Sequence, residues 1–238
     1  MVIEIKMARY STAYSDFIKR LTEVEILLSR ASQLEESDFF SDHEEARVLV
    51  RSAILLFCSH IEGYVKNLGR LALDTIVTKN ICKCSLPAEI GYFLTRPYWE
   101  SVRDTSEPID IAVKLSKYTK EHAHFWYECG PITCDYSVEN FNQKLQSAKY
   151  NRIKQYMAQF GYSDFDHHLK CKAKAEHSDF TRSLELMVTL RNKVAHGDES
   201  TSAKTLKIRE ELKTLRRFCC LMDEVFGDWF RDNICAIR

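Results

Sequence analysis

Between Ala8 and Glu36 the apolar residues return every three or four positions. Phe17, Leu21, Val24, Leu27, Leu28 and Ala31 fall on one stripe with charged residues opposite, which predicts an amphipathic helix. The turn "SDFFSDHEE" follows, with Asp42 as the expected N-cap and Glu44 and Glu45 in the first turn, where the helix dipole favours anions. A second helix is expected from about His43 to about Lys79. Its middle, "VRSAILLFCSHIEGYVKNLGRLAL", is apolar on most sides, as in a central, buried helix. Ser59, His60 and Glu62 interrupt that stretch and require partners. They form either a satisfied polar network that fixes helix register or part of an active site; the two are compatible.

The middle of the chain is less regular. "NICKCSLP" breaks the pattern, and short helices are expected near Ala88 to Leu94 and Pro108 to Tyr118, followed by an aromatic-rich loop, "TKEHAHFWYECGPITCDYS". Ser137 opens a predicted helix, "SVENFNQKLQSAKYNRIKQYMAQFG", through an imperfect capping box with Asn140, and Gly161 is its expected C-cap. "DFDHHLKCKAKAEH" reads as a further short helix. Ser178 or Asp179 then caps "FTRSLELMVTLRNKVAH", which Gly197 ends. A last helix is expected from about Ala203 to about Phe230, with Leu206, Leu212, Leu215, Phe218, Cys219, Met222, Val225, Phe226 and Phe230 inward. No strand-like alternation and no internal repeat appears. The pattern predicts an all-α fold, a bundle of four to five main helices with residues 81–136 as a mid-chain insertion, in a single domain spanning 1–238.

Composition supports helix: seven Gly and four Pro in 238 residues are too few for the tight turns of a β-sandwich. Lys plus Arg and Asp plus Glu are both 34, so the chain is not a basic nucleic-acid coat, although a local basic cleft remains open. Several of the nine Cys sit in apolar helical stretches (Cys58, Cys219, Cys220), as reduced thiols do. The N-terminus has no signal-peptide pattern, and the best apolar run, "AILLFC", is too short to cross a bilayer. A reduced, cytoplasmic protein is expected, with no membrane partner.

Candidate chemistry lies in "LRNKVAHGDE". Arg191 is a permanent forked donor and His196 carries an imidazole, the side-chain type most used as general acid and base. Five residues apart, they are separated by roughly 140° around a regular helix axis. Asn192, four before His196, is placed to orient its ring. Such a pair suits RNA phosphodiester cleavage: a base takes the 2′-OH proton, that oxygen attacks phosphorus, a cation stabilises the pentacoordinate centre, and an acid protonates the leaving 5′-oxygen. Two copies facing each other would supply both acid and base. The same two residues in a last helical turn also simply complement the helix dipole. "HAHFWYECGPITC" brings His122, His124, Cys129 and Cys134 close in sequence, but without standard zinc spacing; the expected reading is an aromatic loop packed on the bundle, with no metal or other cofactor. A zinc-dependent enzyme built on that loop is a third, lesser reading.

The stretch "ARVLVRSAILLFCSHIEGYVKNLGRLAL" together with the tail "ENFNQKL…YMAQFGYSDFDHHL…LELMVTLRNKVAHGDES" resembles the HEPN superfamily, most of all its bacterial HEPN-like nucleases of toxin–antitoxin and phage-defence type. Ala53, Leu55, Leu56, His60, Glu62, Gly63 and Lys66 carry the second-helix pattern. Arg191, Asn192, Ala195, His196 and Gly197 carry the R-N-x-x-A-H-G signature. The resemblance covers roughly residues 45–80 and 137–230; residues 81–136 match nothing in it. It implies a homodimer in which two R-x4-H motifs form one metal-independent endoribonuclease cleft. Arg191 and His196 would be catalytic, Asn192 supporting, and His60 and Glu62 second-helix members, with Glu62 able to pin Arg191. RNA is the implied substrate, with no DNA expected, and an antitoxin or defence-system protein the implied partner. Lys170, Lys172, Lys174, Arg182, Lys193, Lys204, Lys207 and Arg209 would either steer RNA or form a solvated face. The alternative is a non-catalytic HEPN module that binds a partner protein or a nucleotide.

Overall fold

The computed structural model describes residues 10–132, 138–143, 145–197 and 204–237. In chain order the helices are α1 (Thr12–Glu35), α2 (Phe40–Thr78), α3 (Ala88–Arg103), α4 (Pro108–Glu121), α5 (His124–Tyr127), α6 (Val138–Asn142), α7 (Tyr150–Ala158), α8 (Phe165–Ala173), α9 (His177–Ala195) and α10 (Thr205–Asn233). No strand occurs among the described residues, and the fold is all-α.

The four long helices α1, α2, α9 and α10 pack together, and α7 and α8 close one side against α9 and α10. α2 turns back onto α1 after residues 36–39, and the α1 stripe Phe17, Leu21, Val24, Leu28, Ala31 is buried in one core with Ala53, Ile54, Phe57 and Ile61 of α2, with the Phe17 and Tyr64 rings 5.1 Å apart. Each such Leu, Ile or Phe contributes about 1.5–3 kcal/mol by leaving water. α2 is the central helix. An 18-residue window of it reaches a mean hydropathy of 1.4, the level of a membrane-crossing segment, although no comparably long apolar run was expected; half of that window is buried inside the bundle.

Several boundaries differ from expectation. α1 starts at Thr12, with Ser11 as N-cap accepting from Tyr14 N–H at 3.1 Å. α2 starts two residues before Asp42, which sits in its first turn and is not the cap. α3 runs on to Arg103 through Pro97. α9 begins at His177, because Lys174 (φ 52°) and a short 3-10 turn at Lys174–Glu176 set its start; neither Ser178 nor Asp179 caps it. Leu206 points outward, 69% exposed, because Thr205 and Ile208 take the inward face at the start of α10. Where a single helix is expected over 137–161 there are two, α6 and α7, with residues 143 and 145–149 between them outside any helix. The proposed caps Ser137 and, in part, the starts at Ala8 and Ala203 lie outside the described residues.

The break lets α6 fold over α2. Tyr156 of α7 lies against Gly69 of α2, where an added Cβ would stand 2.0 Å from the Tyr156 hydroxyl, and that hydroxyl donates to Asn142 Oδ1 at 2.5 Å. Gly69 is thus required by close approach.

Burial lowers the pKa of His60, His122, His124 and His177 below the ordinary value of 6.5. A depressed histidine stays neutral in the folded chain while the unfolded chain protonates, so stability is complete above pH 6.5 and falls as pH drops below it. Asp166 lies outside that window: burial pushes it up, yet hydrogen bonds from Lys170 and Tyr150 prevail and hold it at about 2. Thermal melts should therefore give a lower Tm near pH 5.5 than near pH 7.5; an equal or higher Tm at the acid value would contradict this.

Candidate active site

α2 and α9 meet in register. Cys58 and Glu62, one turn apart on α2, face Met187 and Arg191, one turn apart on α9. The Cys58 thiol donates to the Met187 carbonyl at 3.5 Å, and Arg191 Nη2 donates to Glu62 Oε1 at 2.8 Å. The same Glu62 oxygen accepts the Ala148 N–H at 3.2 Å. That amide is available because the chain is not helical there, so the break between α6 and α7 helps to fix the carboxylate. Both charged side chains are partly buried, 26% exposed for Arg191 and 20% for Glu62. Burial, reinforced by Glu62, pushes the Cys58 thiol up to about 12 against the pull of Arg191. Cys58 is therefore a neutral donor and no thiolate nucleophile.

α9 ends one turn beyond Arg191. Gly197, at φ 78°, takes the left-handed conformation that stops the helix, and its N–H returns to Val194 O at 3.1 Å. His196 is the C-cap residue, with its N–H on the Asn192 carbonyl at 3.0 Å and its side chain exposed. The described bond between Asn192 and His196 is thus a main-chain one; the sequence had pointed to the Asn192 side chain. The result is a guanidinium held at the wall of the helix pair and an imidazole presented at its rim. Arginine has five N–H donors in a planar fork, and the Glu62 contact engages Nη2 alone. Such a group can take phosphate oxygens while anchored.

His60 does not join this arrangement. Two positions before Glu62, it is rotated about 200° around α2, and its Nε2 lies 3.4 Å from Glu23 Oε2 of α1. Burial, with Arg20 nearby, lowers its pKa despite Glu23. Expectation had grouped His60 with Glu62; the helix period separates them. The basic row is also partly committed: Lys170 pairs with Asp166, Lys172 with Glu224 and Asp228, Arg182 with Asp179, and Arg209 with Glu25. Lys193, at the Arg191 end, is exposed.

The four residues weighed as a metal loop go separate ways. His122 packs its ring on Tyr98, with centroids 3.7 Å apart, and His124 packs on Phe125 at 5.0 Å. Cys129 lies beside Cys82 and Cys84, and Cys134 is outside the described residues. Sequence reasoning missed Cys58 and the Ala148 amide; the first was signalled by its position one turn before Glu62, the second by no side chain at all.

A model of the family described as RiboL-PSP-HEPN matches residues 15–231. No curated protein and no solved structure matches the chain.

Proposed function

We propose, from the premise that this chain belongs to the RiboL-PSP-HEPN family and so to the HEPN superfamily, with which RNase activity is associated, that it is a metal-independent endoribonuclease. The observation that carries the reading is the Arg191 guanidinium, anchored by Glu62 at 2.8 Å one turn before the exposed His196. In this mechanism two protomers bring their α9 ends together across one cleft. One His196 takes the proton from the ribose 2′-OH. The 2′-oxygen then attacks phosphorus and the P–O5′ bond breaks. The second His196 protonates the departing 5′-oxygen. The Arg191 forks bind the non-bridging oxygens as charge builds on them. The products are a 2′,3′-cyclic phosphate and a 5′-hydroxyl. Phosphate contacts of this kind carry little sequence preference. In the cell the chain would act as a toxin or phage-defence effector restrained by a partner protein.

One observation favours a second reading. The charge of Arg191 is paired with Glu62 within the single chain, as it would be in a non-catalytic module that binds a partner protein or a nucleotide. Induced expression in a bacterial host separates the two. The nuclease reading predicts growth arrest by the wild type and none by His196→Ala at equal protein level. Equal growth of both strains, with no change in their RNA, would favour the binding module.

A further inference from the structure

Three cysteines meet away from the α2–α9 cleft. Cys82 and Cys84 flank Lys83 at the 3-10 turn Lys83–Ser85 that follows α2, and Cys129 lies in the loop after α5. Their sulfur atoms all lie within 4.8 Å of one another, and those of Cys82 and Cys84 are 2.8 Å apart. The two segments are distant in sequence and are joined by main chain: Lys83 N–H donates to the Gly130 carbonyl at 2.8 Å. Lys83 adds to the seam. Its side chain is only 4% exposed, its Nζ is 3.6 Å from Glu128 Oε2, and it stands 5.9 Å from the centre of the Phe125 ring.

Packing does not account for this cluster. Cys58, Cys219 and Cys220 are buried and serve as small apolar residues, whereas Cys84 and Cys129 are exposed and Cys82 is half-buried. Three exposed or half-exposed thiols from two separate segments gain little by meeting in water. They gain a great deal as a ligand set. Tetrahedral zinc holds thiolates at about 2.3 Å, which sets the sulfurs about 3.8 Å from one another; the three sulfurs lie within 4.8 Å, and the Cys82–Cys84 pair, at 2.8 Å, opens by about 1 Å to admit the ion. We propose that Cys82, Cys84 and Cys129 bind a soft divalent ion of the zinc class, which clamps the turn after α2 to the loop after α5. Thiolate donors select zinc over magnesium or calcium. Each thiol that ligates releases its proton to solvent, and no oxidation is involved. The ion's position beside the Lys83–Gly130 seam makes it a structural clamp, separate from the Arg191 cleft.

The test uses the full chain, purified under reductant without added metal, and does not depend on RNA cleavage. The expected result is close to one equivalent of zinc per chain by elemental analysis. After anaerobic exchange with cobalt(II), intense thiolate-to-cobalt charge transfer should appear in the near ultraviolet, with the strong visible bands of a tetrahedral ion. Cys84→Ser/Cys129→Ser should lose both the metal and the charge-transfer band, with its helical circular dichroism retained. Should that variant fail to fold, the wild-type cobalt spectrum decides alone. Absence of the charge-transfer band in the reduced wild type would overturn the proposal, as would equal metal content in the folded double variant. A thiol count showing a disulfide among the three in freshly reduced, metal-free protein would overturn it as well.

Discussion

Replacing His196 by alanine is expected to lower RNA cleavage about 10²- to 10⁴-fold, the range for loss of a positioned proton-transfer group, while leaving the thermal melt unchanged. The side chain is exposed at the end of α9 and packs into no core. The cap it occupies is held by main chain, through its N–H to Asn192 O and the Gly197 N–H to Val194 O. Alanine keeps both bonds. Arg191→Ala should cost about 10²- to 10³-fold in rate, as when a donor to developing negative charge is removed. Arg191→Lys should recover only part of this, because a point charge cannot replace the planar fork. Initial rates on a tRNA pool, set beside melts of the same samples, check these values. A folded His196→Ala protein with wild-type rate would remove the histidine from the mechanism.

Asp223→Ala is expected to destabilise the fold by about 2–6 kcal/mol, the cost of leaving the two Ser11 donors buried without their acceptor. Asp223 is 1% exposed on α10. It accepts the Ser11 N–H at 2.9 Å, the Ser11 hydroxyl, and the Tyr64 hydroxyl at 3.2 Å. It thereby ties the first turn of α1 and the middle of α2 to α10. Alanine would leave the Ser11 donors inside the bundle without their acceptor, each such buried group costing about 1–3 kcal/mol. Asp223→Asn keeps an acceptor oxygen and should cost distinctly less. The denaturation midpoint reads both variants, and a midpoint for Asp223→Ala equal to the wild type would show that the network contributes nothing to stability.

The features legible in the sequence are those set by helical period and local chemistry. The stripe of α1, the apolar girth of α2, the Gly197 stop of α9 and most of the α10 face follow from residues three and four apart. Glu62 stood out because a carboxylate on so apolar a helix must have a partner, and Arg191 lies against it. His60 shows where the same logic fails: two positions along a helix is nearly the opposite face, and the neighbour it meets there, Glu23, belongs to another helix. The break between α6 and α7 was hidden because "QSAKYN" has no Pro or Gly to announce it. What ends the helix is tertiary: Phe141 packs on Phe160, Tyr156 bonds Asn142, and Ala148 turns its N–H to Glu62. The convergence of Cys82 and Cys84 with Cys129 is equally non-local, since it depends on how residues 85–128 fold back on themselves. The Lys83–Gly130 bond joins the two segments that carry them.

The measurement that bears most directly on the proposed chemistry is the identity of the RNA ends made by purified wild-type protein in EDTA. Attack by the 2′-oxygen, with Arg191 and His196 as the only catalytic groups, predicts cleavage undiminished by the chelator and fragments ending in 2′,3′-cyclic phosphate and 5′-hydroxyl. Fragments ending in 3′-hydroxyl and 5′-phosphate, or cleavage that stops in EDTA while the thermal melt of the same sample is unchanged, would contradict it.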